Sequence, residues 1–99
     1  MIEISYKKNK LINEVKIYGH ALYDTKGKDI VCSAVSSIST TVINCILTLD
    51  ENAIEYESDS GFILIINHDN EMASKLLDTM IKMFEELALS YPKNIKIGG

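Results

Sequence analysis

The sequence predicts an α+β domain in the order β-β-α-β-β-α, closed by a short final strand, with a largely antiparallel sheet. Three observations carry this reading. Two pairs of short segments, each joined by a polar turn, precede two long stretches. The first long stretch holds no charged residue from Ile30 to Leu49 and is too long for a single strand of a small domain. The second, Glu71 to about Ser90, repeats its apolar residues at spacings of three and four.

The elements follow in order. Residues 2–6, Ile-Glu-Ile-Ser-Tyr, alternate apolar and polar, the period of a half-buried strand. Lys7 to Lys10 is a charged turn, and Leu11 to Tyr18, with Val15 and Ile17 alternating, is the antiparallel return strand. Gly19 ends it, where glycine suits an unusual backbone angle or the close approach of another backbone. Residues 21–28 read as a polar loop containing Gly27, able to move or simply to connect. Asp29 starts a helix running to about Leu49. Its small and apolar residues nearly all round predict burial on more than one side, with the sheet against one face and a second helix or a partner subunit against another. Ala53 to Glu57 is a short strand, Ser58 to Gly61 a hairpin loop, and Phe62 to Asn67 an unbroken apolar run read as a buried strand. His68-Asp69-Asn70 leads into the amphipathic second helix. Its stripe includes Met72, Leu76, Leu77, Met80, Ile81 and Phe84, with Glu71, Lys75, Asp78, Lys82 and Glu85 off it. Pro92 stops this helix, and Asn94 to Ile97 forms the last strand.

Ninety-nine residues, 46% of them hydrophobic, fit one globular domain over residues 1–99. Ten basic residues against fourteen acidic leave a net charge of −4. That balance argues against a nucleic-acid binder, which needs a cationic face, and is compatible with a basic protein partner. The N-terminus has no signal-like pattern, and we expect no apolar run of about 18 or more residues. Both point to a soluble, cytoplasmic protein without a membrane partner. In that compartment Cys32 and Cys45 are not expected to form a disulfide. The spacings of Cys32, Cys45, His20 and His68 do not fit a zinc site, because no close ligand pair exists.

The chemistry concentrates between Gly19 and Ser36. If Asp29 is the N-cap, Cys32 is the third residue of the helix. There the helix dipole and unsatisfied N–H groups favour a thiolate over a free thiol of pKa about 8.5, and the same N–H groups could hold an oxyanion. The competing reading makes Cys32 a small apolar core residue among Ile30, Val31 and Ala34. His20, just past a strand end, is either the base that takes the thiol proton or an exposed loop histidine. Asp29 either caps the helix or orients His20. Ser36, one turn after Cys32 on the same face, bonds within the site or back to the helix. Cys45 reads as a core residue and His68 as a surface residue of a polar turn.

Gly19-His20-Ala21, a short loop, then Gly27-Lys28-Asp29-Ile30-Val31-Cys32-Ser33-Ala34-Val35-Ser36 resembles the ribosomal-processing cysteine protease family, Prp. The element order and length fit over the whole chain. The resemblance implies a nucleophile at Cys32, a histidine at His20 and supporting motif positions at Gly19, Asp29 and Ser36. It implies a homodimer with no metal or organic cofactor. It also implies a ribosomal protein precursor as substrate, trimmed of an N-terminal extension through a thioester. Ser33 stands where many members of the family carry Ala. The alternative is a non-enzymatic dimeric ribosome-associated module in which Cys32 is core and His20 incidental. A thiol redox domain is disfavoured by the lack of a Cys-x-x-Cys pair.

Overall fold

A computed structural model describes residues 1–25 and 29–98. The expectations about Gly27 and about movement of the loop that contains it lie outside the described residues. The elements are β1 (Ile2–Asn9), β2 (Leu11–Gly19), α1 (Ile30–Leu49), β3 (Ile54–Asp59), β4 (Phe62–Asn67), α2 (Glu71–Ser90) and β5 (Ile95–Gly98). This is the predicted α+β order.

The strands form one sheet in the order β3-β4-β2-β1-β5. The pairs β1–β2, β2–β4 and β3–β4 are antiparallel, and only β5 runs parallel, beside β1. The register places Ile4 opposite Ile17, and Ile17 opposite Ile63. It also places Val15 opposite Ile65 and Ile2 opposite Ile95, so the apolar residues of the alternating strands share one face. Both helices cover that face. Val31, Val35, Ile43 and Ile46 of α1 and Leu77, Met80, Ile81 and Phe84 of α2 join the sheet residues in one core. Burying each large apolar side chain is worth about 1.5–3 kcal/mol, so this shared face dominates the stability.

Three expectations change. The central helix α1 is buried along a single stripe, Val31-Val35-Ser39-Ile43-Ile46, and not on several sides. Its other face is open within the chain, with Ile30 54% and Leu49 66% exposed, because α2 lies beside it on the sheet and none of the described residues forms a layer over it. Cys45 is accordingly exposed and not core. At 100° per residue it stands about 200° round the helix from Ile43, away from the buried stripe. Strand β4 is buried on one face only, because both helices lie on that side. Phe62, Leu64 and Ile66 point to the other face and are half-covered by neighbours on β2 and β3 such as Lys16 and Glu57. The reading of no membrane-crossing run is also qualified. Helix α1, with mean hydropathy 1.8 over twenty residues, is long and apolar enough to cross a membrane by length and composition.

The buried polar groups are paired. Ser39 Oγ donates to Val35 O at 2.7 Å. Where β2 begins, Ile12 N–H donates to Ser74 Oγ at 2.9 Å and Ile12 C=O accepts from Asn67 Nδ2 at 2.9 Å. Two side chains thus satisfy a backbone unit that the strand ladder leaves unpaired.

Candidate active site

Two chain segments meet at the N-terminus of α1. The first is the end of β2. Gly19 has φ +95°, and a Cβ there would run into the Met1 carbonyl, so the position admits glycine on both backbone and space. Its N–H donates to Gly61 O at 2.9 Å, tying β2 to the tip of the β3–β4 hairpin. His20 follows, and its ring lies over Gly61. A Cβ added at Gly61, whose φ is +70°, would stand 2.8 Å from His20 Nε2. Ala21 is buried, and its N–H donates to Cys32 Sγ at 3.3 Å.

The second segment is the start of α1, where Asp29 is the N-cap with extended backbone. Its Oδ1 accepts from Val31 N at 3.0 Å and from Cys32 N at 2.9 Å. Its Oδ2 accepts from Tyr23 N at 3.0 Å and, more weakly, from Asp24 N at 3.4 Å. Burial pushes the Asp29 carboxyl upward. The hydrogen bonds from the N–H groups of Cys32, Tyr23, Asp24 and Val31 together outweigh it and hold the group below the usual carboxylate value. Among the described residues neither oxygen bonds His20. Asp29 therefore caps the helix and staples the 23–24 turn to it.

This arrangement corrects the oxyanion expectation. The N–H groups of Val31 and Cys32 are taken up by Asp29 Oδ1, and that of Ser33 donates to Asp29 O at 3.1 Å. The helix terminus thus has its early donors engaged by its own cap.

Cys32 is half-buried at the third helical position. It and His20 open on two adjoining cavities that also share Ser36, Asp59 and Gly61. One, of about 190 Å³, has an apolar floor of Ile2, Ile17, Val35 and Ile63. The other, of about 620 Å³, is bordered by Leu22, Asp24, Asp29, Ser33 and Ser60. Among the described residues no hydrogen bond joins Cys32 to His20, and the thiol's partner is Ala21 N–H. Nor does Ser36 make the back-bond that Ser39 makes. It is exposed and faces the shared cavities. Gly19, His20, Asp29, Cys32 and Ser36 thus border the two adjoining cavities. His68 stands apart, 3.5 Å from Glu55 on the surface, and Cys45 is on the open face of α1. Among the described residues no group of three His, Cys, Asp or Glu is disposed to hold a metal ion.

The hairpin tip Asp59-Ser60-Gly61 was legible as a turn, but its place beside His20 was not. It is a product of the β2–β4 pairing, for which the sequence carries no local signal. A thiol and an imidazole on one open cavity can perform nucleophilic acyl chemistry once the ring turns to the sulfur.

The comparisons with known proteins agree along the whole chain. The family model described as cysteine protease Prp matches residues 1–96. The ribosomal processing cysteine protease Prp of Mycoplasma pneumoniae is 32% identical over 98 residues, covering 96% of this chain and 91% of that one. The protein of the same name from Staphylococcus aureus is 27% identical over 100 residues, covering 97% and 94%. A crystal structure of the S. aureus protease with a covalently linked product peptide superposes with a TM-score of 0.92 at 27% identity, covering 99% and 98%. A second, of the S. aureus protease with a substrate peptide, gives 0.81 at 25% identity, covering 98% and 95%. With the fold, the length and the match over residues 1–96 in agreement, the chain belongs to the Prp family of cysteine proteases.

Proposed function

We propose that this chain is a ribosomal processing endopeptidase that removes an N-terminal extension from a large-subunit ribosomal protein, with Cys32 as nucleophile and His20 as general base and acid. The observation that carries the assignment of residues is the cavity on which the Cys32 thiol and the His20 ring both open, at a capped helix N-terminus.

The steps follow from these groups. His20 takes the thiol proton as Cys32 Sγ attacks the scissile carbonyl carbon. The tetrahedral adduct collapses with cleavage of the C–N bond, and the imidazolium gives its proton to the leaving amine. Water, deprotonated by His20, then attacks the thioester, releasing a carboxylate and restoring the thiol. The Ala21 N–H donates to the Cys32 sulfur, so the attacking atom has a hydrogen-bond donor already in place. Rotation of the ring from its seat on Gly61 brings it to the thiol, since apo catalytic pairs are often loose.

The reading extends to a cytoplasmic homodimer acting on protein and not on nucleic acid. The charge of −4 suits a basic ribosomal substrate. The charge-free outer face of α1, with Ile30, Ser37, Thr41, Asn44 and Leu49, suits a contact between two copies.

The test is intact-mass analysis of the precursor ribosomal protein from the same genome, incubated with the unsubstituted protein, Cys32→Ser and His20→Ala. Loss of one N-terminal segment with the unsubstituted protein, and none with Cys32→Ser, supports the reading. Survival of an extended precursor, or cleavage by Cys32→Ser, overturns it.

A further inference from the structure

Asn94 lies 73 residues from Ala21 in sequence, yet its Nδ2 donates to Ala21 O at 2.8 Å. Its backbone is itself fixed on both sides. Asn94 N–H donates to Tyr91 O at 3.0 Å, and Asn94 O accepts from Ile2 N at 2.8 Å. The adjoining turn is braced a second time, by the edge-to-face packing of Tyr23 on Tyr91 with centroids 5.3 Å apart. Ala21 is thus gripped at both ends of one residue, with its carbonyl on Asn94 and its N–H on the Cys32 sulfur. The preceding residue is His20, and the following one, Leu22, has φ +55°, a conformation that costs energy for a branched side chain and persists only where its surroundings hold it.

We propose that Asn94 is a positioning residue: by holding the Ala21 carbonyl it keeps the Ala21 N–H on the Cys32 sulfur and His20 at the mouth of the cleft. It touches neither thiol nor substrate and acts through Ala21. Without the amide the Ala21 peptide loses its anchor, the N–H swings off the sulfur, and the sulfur that takes up charge has one hydrogen-bond donor fewer. The titratable groups that share the cavity with the thiol are His20, Asp24, Asp29 and Asp59, none of which Asn94 bonds among the described residues. The proposal rests on the protease reading for its kinetic consequence, though not for its effect on the thiol.

The experiment measures the rate of Cys32 alkylation by iodoacetamide against pH, in a Cys45→Ser background so that one thiol reports. Asn94→Leu and Asn94→Asp both remove the donor. Both are expected to raise the inflection of the alkylation profile by about half a unit to one unit and to lower kcat/KM about tenfold. Agreement between a neutral and an acidic replacement excludes an effect of charge alone. Ser74→Ala, which removes the partner of Ile12 N–H at the far end of the sheet, is the stability control. It lowers Tm without moving the profile. If either Asn94 variant folds and keeps the parental inflection, the proposal fails. Should neither fold, the Asn94 side-chain NH₂ resonances of the Cys45→Ser protein decide it: they shift when Cys32 ionises if the relay exists, and their indifference overturns it. An extended precursor that survives the unsubstituted protein would sink the protease reading while leaving the alkylation result to speak for Asn94 alone.

Discussion

The two β-β-α halves of the chain build the same junction twice and use it differently. In each, a strand ends, a histidine follows, and an Asx residue caps a twenty-residue helix: Gly19-His20 to Asp29 in the first half, Asn67-His68 to Asn70 in the second. The third helical residue is Cys32 in α1 and Ala73 in α2. Around Asn70 the polar groups close on one another. Its Oδ1 accepts from Ala73 N at 2.9 Å, its Nδ2 donates to Asp50 Oδ2 at 3.3 Å, and its N–H donates to Asn67 Oδ1 at 3.0 Å. Around Asp29 the donors among the described residues are all backbone, and among them the thiol one turn on has a single N–H···S contact beside an open cavity. Strand pairing makes the difference. The pairing of β2 with β4 sets His20 over the hairpin tip, whereas the three-residue connection before α2 leaves His68 on the surface beside Glu55. A capped helix start is a structural joint when its neighbours satisfy each other, and a chemical site when a nucleophile is left facing a cleft.

The sharpest way to break this comparison is to exchange the third helical residues. Cys32→Ala is expected to lower kcat/KM by about a thousandfold or more, and adding Ala73→Cys should restore none of it. Ala73 is fully buried, so the transplanted thiol should also alkylate far more slowly than Cys32. Restored cleavage would show that the helix position alone makes the site.

The histidines come next. His20→Ala is expected to reduce kcat/KM by about a hundredfold to ten-thousandfold, the span of general acid–base catalysis. His68→Ala should leave it unchanged, with a stability change within about 0.5 kcal/mol, as for other exposed positions. Steady-state kinetics and thermal melts on both variants read this out, and equal losses would erase the distinction.

The caps give the smallest effect and sharpen it by pH. Asp29→Asn keeps a capping oxygen but turns the acceptor of Tyr23 N–H into a donor and removes the charge, and should cost about 1 kcal/mol at neutral pH; Asn70→Ala should cost about 1 kcal/mol, as lost caps do. Asp29's carboxyl is held below its ordinary value, so its stabilisation is complete above that ordinary value, near pH 4, and is lost as pH falls through the lowered one. Thermal melts from neutral to strongly acid pH should therefore show the Asp29→Asn deficit shrinking toward acid. The Asn70→Ala deficit is not tied to a titrating cap and should persist. A deficit at Asp29 that stays constant with pH would mean that the carboxylate's charge is not what the cap uses.

Much of this was legible in the sequence, for physical reasons that differ by element. Period-two alternation located β1 and β2, an apolar run β4, length and lack of charge α1, and the three-four stripe α2, which spans Glu71–Ser90 as the stripe implied. The motif residues between Gly19 and Ser36 converge because they sit within one local connection. What local pattern could not carry was the layer order. An uncharged helix reads as buried all round, yet α1 shows an open face because α2 lies beside it and not over it. Nor could Asn94 be valued from sequence. It reads as the first residue of a strand, whereas it ends the turn before β5, and its reach to Ala21 exists only because β5 lies parallel to β1.

The place of β3 at the edge of the sheet has a consequence for how copies of the protein meet. Among the described residues no strand pairs with its outer side, which leaves the kind of template on which another strand can add. The carboxylates of Glu55, Glu57 and Asp59 recur at every second residue along that strand, opposite Ile66, Leu64 and Phe62. A second β3 arriving edge to edge would bring three like charges against three, in a sheet whose outer face already carries a half-covered apolar strip. The acidic edge is thus a guard against fibre growth, leaving the sheet to end where it does.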